Sequence, residues 1–184
     1  DYDPNVGATG SGWTIRGLAE PGAYQLSFEL GDSSSNSPSN PVFGSIEGDI
    51  IEVSGTSQLI FAGDSEDLID ASISSTGSNR IYAGSGDDTL ILGNGDRLVG
   101  GEGADKFFTT NGGDNIITGG EGADQFWIAT AEIPQAANII TDFTSGEDVL
   151  GIAGLGIGFD DLSITEQDDN TLIAANGSDL AILQ

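Results

Sequence analysis

The sequence predicts an all-β repeat protein, and three observations predict it. First, a nine-residue unit recurs: Gly100-Gly101-Glu102-Gly103-Ala104-Asp105-Lys106-Phe107-Phe108 returns as Gly119-Gly120-Glu121-Gly122-Ala123-Asp124-Gln125-Phe126-Trp127, and Ala83-Gly84-Ser85-Gly86-Asp87-Asp88-Thr89-Leu90-Ile91 keeps the same frame. Second, each unit joins a six-residue Gly/Asp portion, which reads as a turn, to three residues centred on a large apolar one, which read as a short strand. Third, glycine is abundant, with 29 residues, and within the repeats it recurs periodically, which separates the chain from aperiodic glycine-rich disorder.

Residues 1–43 stand outside this period. Trp13-Thr14-Ile15-Arg16 and Tyr24-Gln25-Leu26-Ser27-Phe28-Glu29-Leu30 alternate apolar and polar residues as half-buried strands do, and Glu20-Pro21-Gly22 between them is a turn signal, so a β-hairpin is expected. Gly31 to Pro41, rich in Ser and Asn, reads as a loop or linker. From Gly44 the frame extends through weaker copies, with its Asp position filled by Asp49, Gln58, Asp67, Asn79, Asp88, Asp96, Asp105, Asp114 and Asp124. Two residues later come Ile51, Ile60, Ile69, Ile81, Leu90, Leu98, Phe107, Ile116 and Phe126, all large and apolar. In a strand these central side chains point inward and their neighbours outward. After Trp127 the glycine period stops. The segments Asn138-Ile139-Ile140-Thr141-Asp142-Phe143 and Thr144-Ser145-Gly146-Glu147-Asp148-Val149-Leu150 follow, and Asp161-Leu162-Ser163-Ile164, Thr171-Leu172-Ile173-Ala174 and Asp179-Leu180-Ala181-Ile182-Leu183 read as further short strands. The predicted organisation is an N-terminal hairpin and linker over 1–43, a repeat array over 44–127 and a C-terminal cap over 128–184, because a stack of repeats needs closed ends.

The three strong copies read G-G-x-G-x-D-x-U-x, U being the apolar residue, and this resembles the RTX, or haemolysin-type calcium-binding, nonapeptide family. The resemblance implies a right-handed parallel β-roll (a β-solenoid) with two repeats per coil, so that alternate turns share an edge. Turns ending at Asp49, Asp67, Asp88, Asp105 and Asp124 would line a first edge, and those ending at Gln58, Asn79, Asp96 and Asp114 a second. It also implies several Ca²⁺ ions between adjacent turns, held by Asp88, Asp105 and Asp124 with main-chain carbonyls of Gly84, Gly86, Gly100, Gly103, Gly119 and Gly122. Asp49 and Asp67 are weaker candidates, since paired glycines are missing before them. Asp96 and Asp114 offer at most one further ion on the second edge. In the roll that the resemblance implies, carboxylates stacked at strand spacing would repel one another unless a cation lay between them, and calcium takes six to eight oxygens of the kind such turns present.

The remaining composition narrows the function. A net charge of −26 from 30 acidic and 4 basic residues argues against nucleic acid as a partner. The chain has no Cys and no His, which removes thiolate and imidazole metal sites and the usual catalytic bases and nucleophiles. No apolar run approaches the ~20 residues of a membrane helix, and with Asp1 rather than Met at its start the chain reads as a mature or excised piece. The expectation is a non-enzymatic, secreted or cell-surface structural protein that folds on binding calcium, for which extracellular modules typically have affinities of ~10⁻⁴–10⁻³ M. The alternative is the C-terminal calcium-dependent folding and secretion module of a larger secreted enzyme or adhesin. The family commonly uses type I secretion. A further expectation concerns Phe61, Tyr82, Val99 and Ile117, which follow the central residue on one sheet and form an outward apolar stripe beside Arg80 and Arg97. Self-association through that stripe or through open roll ends is a candidate contact.

Overall fold

The computed structural model describes residues 13–17, 24–28, 41–74, 77–110 and 112–184, the first two ranges as backbone. The turn expected at Glu20-Pro21-Gly22, and the loop expected from Gly31 as far as Asn40, lie outside the described residues. Strands β1 (Trp13–Gly17) and β2 (Tyr24–Phe28) pair antiparallel as the alternation predicts. They are followed by β3 (Val42–Phe43), β4 (Ile50–Glu52), β5 (Leu59–Asp64), β6 (Leu68–Asp70), β7 (Arg80–Ser85), β8 (Thr89–Leu92), β9 (Arg97–Glu102) and β10 (Lys106–Thr109). The series continues with β11 (Ile116–Glu121), β12 (Gln125–Thr130), β13 (Asn138–Ile140) and β14 (Val149–Ala153). A 3₁₀ turn (Phe159–Asp161) leads to β15 (Leu162–Gln167), β16 (Asn170–Ala175) and β17 (Ser178–Leu183).

From β3 to β14 successive strands alternate between two sheets, which makes this part of the chain a parallel β-solenoid. One sheet runs β4-β6-β8-β10-β12-β14 and is parallel throughout. The other is parallel from β3 through β5, β7, β9, β11 and β13 to β17. It is finished at each end by antiparallel strands, β2 and β1 at one and β16 and β15 at the other. The parallel ladder therefore runs past Trp127, with β13 and β14 adding a coil that carries no glycine repeat.

Between the sheets lies a narrow apolar core. Ile60, Ile69, Ile81, Leu90, Leu98, Phe107 and Phe126 are buried as the repeat predicts, and Phe107 and Phe126 stack with centroids 5.2 Å apart. A second inward position follows two residues later, occupied by Val53, Ala62, Ala71, Ala83, Leu92 and Ile128. One assignment is corrected. Ile117, not Ile116, is the core residue of its strand, 1% exposed and in register with Leu98. The outward residue after it is Thr118, paired with Val99. The outer stripe is accordingly Phe43, Phe61, Tyr82 and Val99, with Ile117 removed from it. Phe43–Phe61 and Phe61–Tyr82 stack at 5.4 and 5.1 Å, as identical rung spacing requires.

The two edges of the roll differ. On the first edge, the turns β5–β6, β7–β8, β9–β10 and β11–β12 each leave three residues between strands. On the second, the linking segments are 53–58, 71–79, 93–96, 110–115 and 131–137, which range from four to nine residues. The uniform stretch of the first edge, from the turn ending at Asp67 to that ending at Asp124, is what a repeated ligand geometry demands.

Candidate metal centre

The aspartates of the first edge form a hydrogen-bonded column. Each carboxylate reaches back one coil and accepts the backbone N–H of the preceding aspartate through Oδ1: Asp67 from Asp49 at 2.7 Å, Asp88 from Asp67 at 2.8 Å, Asp105 from Asp88 at 2.9 Å, and Asp124 from Asp105 at 2.9 Å. Asp148 then accepts from Asp124 at 3.0 Å. The column thus has a sixth member that lies outside the nonapeptides. Nothing in the glycine pattern marks it, although Gly146-Glu147-Asp148 keeps the local G-x-D spacing.

The glycines explain how these turns stack. Gly63, Gly84, Gly101 and Gly120 are in register, all with φ between +117° and +129°. A Cβ on Gly84, Gly101 or Gly120 would sit 1.9–2.1 Å from the carbonyl oxygen of the glycine one coil below. Only glycine fits. Gly86, Gly103 and Gly122 form a second such column, with Ser65 (φ +76°) as its first member. The turn ending at Asp67 therefore has the shape of its glycine-rich successors despite lacking their second glycine. Gly84 belongs with Gly101 and Gly120, whereas the counterpart of Gly100 and Gly119 is Ala83. The expected carbonyl set mixed these two positions, because Ala83 breaks the G-G pair by which they are recognised.

The chemistry of the column is unbalanced. Asp67, Asp88, Asp105 and Asp124 are 0–3% exposed. The Oδ2 atoms of Asp67, Asp88 and Asp105 are buried without a hydrogen-bond partner. Asp105 Oδ2 and the Gly119 carbonyl oxygen both lie within 2.6 Å of the point that a Cβ on Gly100 would occupy. Two acceptors thus face one space with no proton between them. Burial accordingly pushes the acidity of all four aspartates down: Asp88 is raised to about 6 and Asp105 to about 7 from 3.8, with neighbouring carboxylates adding to the effect and the backbone N–H bonds opposing it. Among the described residues no three carboxylates converge into a ready cation cage. An ion here would take its remaining ligands from the backbone carbonyls of the turns. An all-oxygen donor set with buried, unpaired carboxylate oxygens fits a hard cation such as calcium.

The second edge is built from amides instead. Its column is Gln58, Asn79, Asp96, Asn115 and Asn138, joined by the same reach-back bond: Gln58 N–H to Asn79 Oδ1 at 3.0 Å, Asn79 N–H to Asp96 at 2.9 Å, Asp96 N–H to Asn115 at 2.8 Å, and Asn115 N–H to Asn138 at 3.2 Å. Amide N–H groups fill the places left open on the first edge. Asn115 Nδ2 donates to the Gly93 carbonyl at 3.1 Å and to Asn138 Oδ1 at 2.9 Å, Asn79 Nδ2 to Ser74 Oγ, and Asn138 Nδ2 to Thr109 Oγ1. Asp114, a predicted ligand, is corrected. It is an exposed residue at φ +58°, one place before the column, and Asn115 holds the buried position. Asp96 is the one carboxylate in this column. Its Oδ2 is buried and unpartnered and burial raises its pKa, but its neighbours above and below are asparagines. The structure therefore does not bring Asp96 and Asp114 together as a ligand pair.

Residues 73–96 and 94–126 match the family model of the RTX calcium-binding nonapeptide repeat, with four copies. Among solved structures the chain is similar to the solution structure of the AlgE6R3 subunit from the Azotobacter vinelandii mannuronan C5-epimerase. The two are 24% identical, 76% of this chain and 72% of that one are covered, and the TM-score is 0.34. No curated protein matches the chain.

Proposed function

We infer that this chain, whose central coils are RTX calcium-binding nonapeptide repeats, is an extracellular structural protein held in its fold by calcium along the first edge alone. The observation that carries the reading is the run of buried, unpartnered Oδ2 atoms on Asp67, Asp88 and Asp105. A buried carboxylate oxygen without a partner costs about 1–3 kcal/mol, more when charged. Three in one column are a large penalty against the ~5–15 kcal/mol by which a domain is stable. Asp67, Asp88, Asp105 and Asp124 bound three gaps between equivalent turns, and in each gap two of these carboxylates would hold one ion together with turn carbonyls. A bound calcium supplies positive charge where the column has none. The expected result of a calcium titration of the stripped protein is a cooperative gain of β signal in circular dichroism, with a midpoint at ~10⁻⁴–10⁻³ M. A spectrum indifferent to calcium would refute the reading.

A midpoint in that range supports a site of action outside the cell, where calcium is plentiful. The structural role extends to self-association on an outer face. Both ends of the longer sheet are closed by antiparallel strands, which disfavours propagation of the parallel ladder from one copy to the next. The row Phe43, Phe61 and Tyr82 is the better surface for a second copy. Phe61→Ser combined with Tyr82→Ser should lower the sedimenting mass in millimolar calcium while leaving the calcium titration unchanged. Equal mass for variant and wild type would remove that surface.

A further inference from the structure

The six aspartates of the first edge are of two kinds. In Asp67, Asp88 and Asp105, Oδ2 is buried with no hydrogen-bond partner, and the N–H of Gly120, four residues before Asp124, donates to Asp142 rather than to Asp124. In the two end members Oδ2 is satisfied locally. Asp49 Oδ2 accepts the backbone N–H of Ser45 at 2.6 Å, and Asp148 Oδ2 accepts that of Thr144 at 2.7 Å. Both donors lie four residues before their aspartate. In the four internal turns the residue at that position is Gly63, Gly84, Gly101 or Gly120, each at φ +117° to +129°.

The side chain at this position decides the outcome. A glycine accepts the positive φ, and the N–H of Gly120 is directed away from its own aspartate, to Asp142 Oδ2 at 2.9 Å. Ser45 and Thr144 do not take a positive φ, the conformation that a Cβ disfavours and β-branching in Thr disfavours further. Their N–H groups stay aimed into the turn and occupy the carboxylate. Such a donor takes up the negative charge that a cation would otherwise be needed to offset.

We propose that Ser45 and Thr144 terminate the metal row. Building on the calcium reading above, ions fill the three gaps bounded by Asp67, Asp88, Asp105 and Asp124. The gaps between Asp49 and Asp67 and between Asp124 and Asp148 are closed by backbone N–H groups and hold none. The two end turns are metal-free caps of the calcium edge, and a single residue in each sets where binding stops.

The Asp148 turn gives the cleaner test. Thr144-Ser145-Gly146-Glu147-Asp148 already has glycine at its third place, with φ +92°, and matches Gly84-Ser85-Gly86-Asp87-Asp88 apart from its first and fourth residues. Native mass spectrometry in calcium acetate should count three ions on the wild-type chain and four on Thr144→Gly. Thr144→Ser, which keeps both the Cβ and the N–H, should stay at three. At the other end Ser45→Gly with Glu47→Gly should likewise count four. A wild-type count of five, or a Thr144→Gly count equal to that of wild type, overturns the termination while leaving the calcium edge in place. A wild-type count of zero overturns the calcium reading and the termination with it.

Discussion

Calcium-stripped protein should become more ordered, not less, as the pH is lowered from about 8 to about 4.5. Asp67, Asp88, Asp105 and Asp124 are all weaker acids in the metal-free fold than in the unfolded chain, Asp88 at about 6 and Asp105 at about 7 against 3.8. Between those values the folded state binds more protons than the unfolded one, so stability falls as the pH rises. The contribution is fully present below about 4 and is lost as the pH passes through about 6 and 7. This is the reverse of ordinary acid denaturation. Relief of the −26 self-repulsion acts in the same direction.

With calcium present the sign inverts, because the ion and the proton compete for the same oxygens. Thermal midpoints by circular dichroism, with and without calcium at about pH 4.5, 6 and 8, should therefore converge on the acid side and diverge on the alkaline side. Stripped protein that loses structure on acidification would eliminate the buried aspartates as its principal source of instability. An Asp88→Asn variant separates the column from general charge repulsion, since it removes one of the titrating groups and alters the net charge by a single unit.

The parts of this design that show in the sequence are those where chemistry and spacing coincide. Gly101 and Gly120 are legible because a Cβ there would strike a carbonyl, so nothing else can be used. Asp88, Asp105 and Asp124 follow at a fixed distance because their turns are geometrically the same. The second edge is less legible. Its segments vary in length, and at Asp114-Asn115-Ile116-Ile117 both the polar and the apolar positions are doubled. Hydrophobic pattern alone is then degenerate by one residue, and a one-residue slip exchanges the two faces of a strand. The pairing of Ile117 with Leu98 and the bond from Asp96 N–H to Asn115 decide it. A usable signal was present: from Gln58, Asn79 and Asp96 the next first-edge aspartate is always nine residues on, and counting nine back from Asp124 reaches Asn115.

Asp148 and Asn138 escape for another reason. The coil they belong to is joined by longer segments without paired glycines, so periodicity ends before the ladder does. The contrast between the charged and amide edges likewise emerges only once Asn115 replaces Asp114. Asp and Asn are equally good at the reach-back bond, and they differ in what the second atom of the group then requires.

That difference yields the other large effect. Asp105→Asn should stabilise the stripped protein and weaken the calcium-bound one. The amide keeps the Oδ1 acceptor for the Asp88 N–H, as Asn115 does for Asp96. Its Nδ2 replaces an unpartnered anionic oxygen that shares a space with the Gly119 carbonyl. The same exchange is seen on the second edge, where Asn115 Nδ2 donates to the Gly93 carbonyl. Removing a buried unsatisfied acceptor should be worth about 1–3 kcal/mol without metal. In calcium the loss falls on two gaps at once, because Asp105 bounds both the Asp88 and the Asp124 sites, and a midpoint about tenfold higher, or ~1.4 kcal/mol, is expected. Denaturant unfolding in chelator and in millimolar calcium should therefore move in opposite directions for one substitution. A variant destabilised under both conditions would mean that the carboxylate contributes to the metal-free fold through its second oxygen, and the cation would then not be what the column lacks.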